Sequence, residues 1–323
     1  MVEPILSVEK LDVSFSTFEG LAHVLSKVTF KINHKEVFAL VGETGCGKTV
    51  TALSIIKLLP RNSYVQGRII FNGRNILELK ESDMVEVRGK SMAMILQDPS
   101  SSLNPMFKVG EQLCDAITSN DPNIKEPKRY ALELLSKVGF KDTERVFNSY
   151  PNELSGGMQQ RVAISISLTG KPTLLIADEP TTALDVLTQA QIIQLLKQVR
   201  DTYSTSVLLI THNLGLVATL CDRVGIMYFG QVVEIGPTYD LFYNTKHPYT
   251  KGLLQSLPYN KLKNQTLPTI PGDLPSPLSP PSGCRFYPRC PRSNESCSKD
   301  VPEILPITDK HYVACFNPLS GDE

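Results

Sequence analysis

Residues 42–49 read GETGCGKT; a wholly apolar run (Val37, Phe38, Ala39, Leu40, Val41) precedes them, and a helical pattern of Ala52, Leu53, Ile55, Ile56, Leu58 and Leu59 follows. This is G-x-x-x-x-G-K-[ST] between a buried strand and a helix, the context the pattern requires. Gly42, Gly45 and Gly47 leave the backbone free to curl, so successive N–H groups through Glu43, Thr44 and Cys46, with the helix N-terminus, face a polyphosphate. Lys48 is expected to reach the β- and γ-phosphates. The Thr49 hydroxyl is expected to hold Mg²⁺, a hard cation that shares oxygen ligands with phosphate. A glycine-rich turn without a ligand is the plain alternative, and the strand and helix on either side count against it.

A second apolar run, residues 173–177 (TLLIA), ends in Asp178 and Glu179. Parallel α/β sheets place ligands at the carboxyl ends of their strands, so two carboxylates arrive where a phosphate loop would need them. Asp178 is expected to hold Mg²⁺ through water, and Glu179 to orient or deprotonate the attacking water. Residues 206–210 (SVLLI) form another buried run, ending at Thr211 and His212. His212 reads either as a surface residue or as a group that reaches a γ-phosphate. Residues 154–158 (LSGGM) precede a helical run, where Ser155 has the chemistry of an N-cap and Gly156 and Gly157 expose backbone donors at a second positive helix end. Ahead of the phosphate loop, residues 5–15 and 24–32 alternate as strands, and Phe15 either stacks on a purine base or fills a strand edge. Residues 67–71 lead through Asn72-Gly73 as a strand into a tight turn, and residues 92–96 form a short buried strand ending at Gln97.

Between residues 100 and 150 strand-like runs give way to helical periodicity at 109–118 and 128–138, which reads as a helical insertion. A closing hairpin at 224–227 and 231–235 and a helical stretch at 239–257 follow. Six prolines between Pro268 and Pro281 then mark an extended linker.

Composition narrows the role. The chain has 323 residues, 41% of them hydrophobic, with 33 basic and 33 acidic side chains and no net charge. That balance argues against broad electrostatic binding to nucleic acid. The N-terminus lacks a basic region followed by a long apolar stretch, and no apolar run approaches the ~18–20 residues that cross a bilayer. The expectation is a cytosolic chain whose membrane role comes through a partner.

Taken together, these motifs resemble the ATP-binding subunits of ABC transporters over residues 5–255. Phe15 falls where that family places its base-stacking aromatic, residues 42–49 at its Walker A, Gln97 at its Q-loop and residues 154–158 at its signature. Asp178 and Glu179 match its Walker B and catalytic base, Asp185 its D-loop, and His212 its switch histidine. The resemblance implies an α/β P-loop core with an antiparallel β subdomain and a helical insertion at about 98–163. It also implies that Gln97 joins Thr49 and Asp178 around Mg²⁺. ATP held by one such domain is then covered by Ser155, Gly156, Gly157 and Asp185 of another, paired head to tail, so that hydrolysis reopens the pair.

His247-Pro248-Tyr249-Thr250, Ile270-Pro271-Gly272 and the cysteines look like the C-terminal extension of ATPases in oligopeptide, dipeptide and nickel importers. GGM at 156–158 and IADEPTTALD at 176–185 look most like the D-type ATPase of dipeptide and oligopeptide permeases. The implied partners are a second, different ATPase chain, two transmembrane permease subunits and, indirectly, an extracytoplasmic solute-binding protein, which puts this chain at the cytoplasmic face of the membrane. A nickel importer is the alternative within the family, and a soluble ABC ATPase the alternative outside transport.

The expected second region, residues 256–323, is a proline-rich linker and a small four-cysteine extension. Cys284, Cys290, Cys297 and Cys315 are separated by five, six and seventeen residues. Four soft thiolates suit Zn²⁺ or an iron–sulfur cluster, and zinc sites begin with tighter pairs than these. The wider loops suit a cubane, and the resemblance implies a 4Fe-4S cluster with a structural role; Zn²⁺ is the alternative.

Overall fold

Strands whose residues are apolar without interruption are buried along their whole length, whereas strands with alternating residues have one solvated face. The computed structural model describes residues 3–182, 184–257 and 268–320. In chain order the strands are β1 (Leu6–Thr17), β2 (Gly20–Ile32), β3 (Val37–Val41), β4 (Ser63–Phe71), β5 (Arg74–Asn75), β6 (Met92–Ile95), β7 (Leu174–Asp178), β8 (Ser206–Thr211), β9 (Arg223–Tyr228), β10 (Gln231–Pro237), β11 (Leu305–Pro306) and β12 (Tyr312–Val313). The helices are α1 (Lys48–Ile55), α2 (Glu81–Val87), α3 (Pro99–Ser102), α4 (Val109–Asn120), α5 (Pro127–Lys137), α6 (Thr143–Asn148), α7 (Gly156–Ser167), α8 (Val186–Tyr203), α9 (Leu214–Leu220), α10 (Thr238–Tyr243), α11 (Pro248–Gln255) and α12 (Glu295–Lys299). None of the described helices is long and apolar enough to cross a membrane. The chain forms two compact units: one takes the chain up to Ile32, Phe38–Leu77 and everything from Thr211 on; the other takes Asn33–Val37 and Glu78–Ile210.

The first unit contains an antiparallel sheet in the order β2-β1-β4-β5. Its turn at Asn72 (φ 47°) and Gly73 (φ 75°) is the left-handed pair that the Asn-Gly dipeptide predicts. The unit also holds the strand run β11-β12-β10-β9-β3, in which β9 is parallel to β3 and antiparallel to β10. The two layers meet where Phe30 of β2 stacks on Phe38 of β3 at 5.2 Å and where Ser26 N–H donates to the Gly230 carbonyl at 2.8 Å. The tail is built into this unit: β12 pairs with β10 through Glu234–Val313 and Ile235–Tyr312. Neither β11 nor β12 is legible in the sequence, because two-residue strands carry no periodicity.

The tail is fixed by a buried carboxylate as well. Glu234, fully buried, accepts from His311 Nε2 (2.8 Å), the Thr245 hydroxyl (3.0 Å) and the amides of Lys246 (2.6 Å) and His247 (3.1 Å). Those bonds hold its pKa below the usual glutamate value despite burial, which acts the other way. Of the expected linker, residues 258–267 lie outside the described residues; farther on, the Pro277 carbonyl accepts from His23 N–H on β2 at 2.8 Å.

The second unit is a parallel run of β8-β7-β6 with helices α2 to α8. Every residue of β7 and β8 is buried. Between β6 and β7 lie α3 to α7, organised by amphipathic faces: Val109, Leu113 and Ile117 of α4, Ala131, Leu134 and Leu135 of α5, and Val162 and Ile164 of α7 are buried. Helices α2 and α6, seven and six residues long, are too short to show a helical period and were not anticipated.

Candidate functional site

In the first unit, buried β3 delivers the chain into the loop at 42–47, and Gly47, at φ 105°, precedes α1. Gly42 has no room for a side chain: a Cβ there would stand 2.1 Å from the Met227 carbonyl oxygen. Lys48 is 5% exposed, and its Nζ donates to the carbonyls of Gly42 (2.9 Å) and Glu43 (3.0 Å), with Cys46 Sγ at 3.9 Å. The ammonium is therefore folded into the mouth of its own loop, while Thr44, Gly45 and Thr49 are exposed. Cys46 is buried, and burial raises its thiol pKa more than nearby Lys48 lowers it. Phe15, half-buried on β1, stands opposite Ala22 and Ser63 in the antiparallel sheet, and His212 is exposed just after β8.

Residues that the sequence did not point to support the loop from behind. The Tyr249 hydroxyl accepts from Glu43 N–H at 3.2 Å, and Arg289 Nη1 donates to the Glu43 carboxylate at 3.0 Å. Tyr249 belongs to a buried aromatic cluster with Tyr228 (4.7 Å between ring centroids) and Phe286 (5.3 Å). No local signal could have exposed these contacts, because the partners are more than two hundred residues apart in the chain.

In the second unit, Asp178 ends β7 almost fully buried, and Glu179 follows with φ 45°, a left-handed conformation that costs a residue with a Cβ. Its amide donates to the Ile210 carbonyl at 2.8 Å. Its Oε2 accepts from Gln97 Nε2 at 3.2 Å and from the Thr182 hydroxyl at 2.8 Å. Gln97 stands between β6 and α3, the entry to the helical insertion, so the strand-end carboxylate touches the start of the helices.

Ser155 caps α7, its hydroxyl accepting from Met158 N–H at 3.4 Å. Asp185 caps α8 in the same way, accepting from the Thr188 amide (3.0 Å) and hydroxyl (2.7 Å), and those bonds hold its carboxyl below the usual range. The two caps meet at Thr188, since a Cβ on Gly157 would stand 2.4 Å from Thr188 Cγ2. Ala183, two residues before Asp185, lies outside the described residues.

The four tail cysteines are free thiols. The expected metal site is not shown: among the described residues no group of three or more His, Cys, Asp or Glu side chains is arranged to hold a metal ion. Burial pushes the Cys284 and Cys315 thiols up to about 11. They are nonetheless neighbours that sense one another electrostatically, and backbone amides of Phe286, Arg292 and Asn317 donate to the sulfurs of Cys284, Cys290 and Cys315.

Comparison with known proteins places this geometry. A family model described as "ABC transporter" matches residues 25–182, and one described as "Oligopeptide/dipeptide transporter, C-terminal region" matches residues 233–297. The chain is 44% identical to the "Dipeptide transport ATP-binding protein DppD" of Bacillus subtilis, covering 98% of this chain and 95% of the relative. It is 43% identical to the "Oligopeptide transport ATP-binding protein OppD" of the same organism, covering 97% and 88%. Among solved structures, cbiO1 from Clostridium perfringens, part of the ABC transporter complex cbiONQ, superposes with a TM-score of 0.63 at 26% identity, covering 75% of this chain and 92% of that one.

Proposed function

Since the chain belongs to the ABC transporter ATP-binding family and carries the oligopeptide/dipeptide transporter C-terminal region, we propose that it is the ATP-hydrolysing motor of an importer for di- and oligopeptides. The observation that carries hydrolysis is the Glu179 carboxylate, set at the end of a buried strand and bound by Gln97 at the root of the helical insertion. The peptide class rests on what the relatives' names say they transport.

In this reading the amides of residues 42–47 and Lys48 bind the ATP phosphates, and Phe15 stacks on the base. Thr49, Gln97 and Asp178 offer hard oxygens suited to Mg²⁺, which supplies charge neutralisation for the phosphates when bound. Water attacks the γ-phosphorus and gives its proton to Glu179 as the bond to the β-phosphate oxygen breaks, leaving ADP and phosphate. His212 steadies the γ-phosphate. Ser155, Gly156, Gly157 and Asp185 cover the ATP of a second, different ATPase chain, so closure depends on bound ATP. Two permease subunits hold the pair at the cytoplasmic face of the membrane, and an external binding protein supplies the solute.

The finer reading of the tail is a 4Fe-4S cluster on Cys284, Cys290, Cys297 and Cys315. Its support is their spacing, their mutual proximity and the amide donors already aimed at three of the sulfurs, the dipoles that a thiolate ligand requires.

Uptake of labelled di- and oligopeptides and of labelled nickel, compared in the native cell between wild type and Glu179→Gln, tests the function. Loss of peptide uptake alone is expected. Loss of nickel uptake alone would change the solute, and loss of neither would overturn the transport reading.

A further inference from the structure

The phosphate loop contains an acid, and an acid is the wrong charge for a polyphosphate site. Glu43 is the second residue of the loop, and its carboxylate adds repulsion where the backbone is arranged to attract an anion. That carboxylate is met by Arg289, whose Nη1 lies 3.0 Å from Glu43 Oε2 and whose side chain is only 7% exposed, against 27% for Glu43. Arg289 is itself fixed by its surroundings. Nε donates to the Pro271 carbonyl at 2.8 Å and Nη2 to the Ile270 carbonyl at 3.3 Å, while Nη1 also donates to the Tyr228 hydroxyl at 3.4 Å. The guanidinium lies 5.7 Å from the centroid of the Tyr228 ring. A planar fork with its donors spread over two backbone carbonyls, a hydroxyl and a carboxylate can hold only one pose, which a flexible ammonium would not.

We propose that Arg289 is a positioning residue of the nucleotide site: it neutralises Glu43 and anchors its carboxylate to the C-terminal segment, so that the loop offers ATP only amides and Lys48. This rests on the reading that residues 42–49 bind ATP. The arrangement ties ATP affinity to the fold of the tail, because Arg289 immediately precedes Cys290, and both carbonyls that orient it belong to the segment that joins the tail to the rest of the unit. The tail therefore contributes to nucleotide binding in the same chain, without touching the nucleotide.

The test is the affinity of the full chain for Mg-ATP, measured by calorimetry. Arg289→Ala is expected to weaken ATP about tenfold, the effect of one uncompensated charge at the rim of the site. Adding Glu43→Gln to Arg289→Ala is expected to restore affinity to within about threefold of wild type, since the offending charge is then gone. Glu43→Gln alone leaves the tail residue intact and is expected to tighten ATP, because the loop then loses a negative charge while Arg289 keeps its positive one; this variant decides the matter if Arg289→Ala does not fold. Unchanged affinity in Arg289→Ala, loss that Glu43→Gln does not restore, or weaker binding in Glu43→Gln alone would each overturn the proposal and leave Arg289 a packing residue. Lys48→Ala separates the two readings. If wild type binds ATP and Lys48→Ala does not, the site stands whatever Arg289 does; if Lys48→Ala binds as wild type does, the site itself is misassigned and the role of Arg289 falls with it.

Discussion

Gln97 donates its side-chain amide to the Glu179 carboxylate across 3.2 Å, joining the root of the helical insertion to the end of β7. Under the proposed function this contact lets movement of the insertion reorient the base. Glu179→Gln should retain ATP and lose turnover by roughly 10²–10⁴-fold, the usual contribution of a positioned base. Gln97→Ala should cost less, on the order of tenfold, and leave ATP affinity nearly unchanged. Phosphate release and ATP binding, measured separately on each variant, check both; retained hydrolysis in Glu179→Gln would mean the base lies elsewhere.

Gly157→Ala should do more damage than its size suggests. The new methyl would stand 2.4 Å from Thr188 Cγ2, and Thr188 is the residue whose amide and hydroxyl hold Asp185. Overpacking of this kind costs about 1–3 kcal/mol. Gly156→Ala is the control, since among the described residues its methyl would meet only Leu184 Cδ2, at 3.7 Å. Denaturation midpoints of the two variants should separate clearly.

Cys46 should react slowly with alkylating reagents although it sits inside the phosphate loop. Position alone suggests a thiol whose modification blocks ATP, but the side chain is 1% exposed, and burial raises its pKa. Little thiolate is present at neutral pH, and the thiolate is the nucleophile. Iodoacetamide labelling followed by mass spectrometry should find Cys46 modified later than half-buried Cys114, with the Cys46 rate still rising as the pH is taken into the alkaline range. Once modified, Cys46 should no longer allow ATP binding.

Acid should loosen the first unit before its carboxylates titrate. His247 caps α11, Nδ1 accepting from Tyr249 N–H at 3.1 Å, and burial pulls its pKa from 6.5 down to about 4. Between those values the unfolded chain binds more protons than the folded one. Stability from this residue is therefore complete above about 6.5 and declines as the pH falls toward 4, by at most ~3 kcal/mol. Neighbouring Glu234 favours the charged ring and offsets part of the burial. Melting temperature from pH 7 to 4.5 should fall less steeply in His247→Asn, because asparagine also caps a helix and does not titrate.

Cys290→Ser should release iron from protein isolated without oxygen and abolish its visible absorbance, while loosening the tail. Iron content, absorbance and limited proteolysis report these together. If iron, ATPase activity and assembly are all unchanged, the tail cysteines do not form a structural cluster.

The sequence by itself determined the nucleotide motifs and the strands that carry them. Glycine spacing at 42–49 and unbroken apolar runs before Asp178 and His212 are local patterns, and local patterns survive in one dimension. The Asn72-Gly73 turn and the helical faces of α4 and α5 were legible for the same reason. Tertiary structure alone decided what surrounds them. Thr188 as the shared neighbour of Gly157 and Asp185, Gln97 on Glu179, and Tyr249 and Arg289 behind Glu43 all depend on packing between distant segments, which leaves no periodicity to read. The tail shows the difference most plainly. Its prolines and cysteines suggest a linker and a metal site but not how the fold adds β11 and β12 to a sheet edge, sets His311 on Glu234 and sets Arg289 on Glu43. Edge pairing and long-range polar contacts of this kind are selected by the surface they meet, so they appear only when that surface has formed.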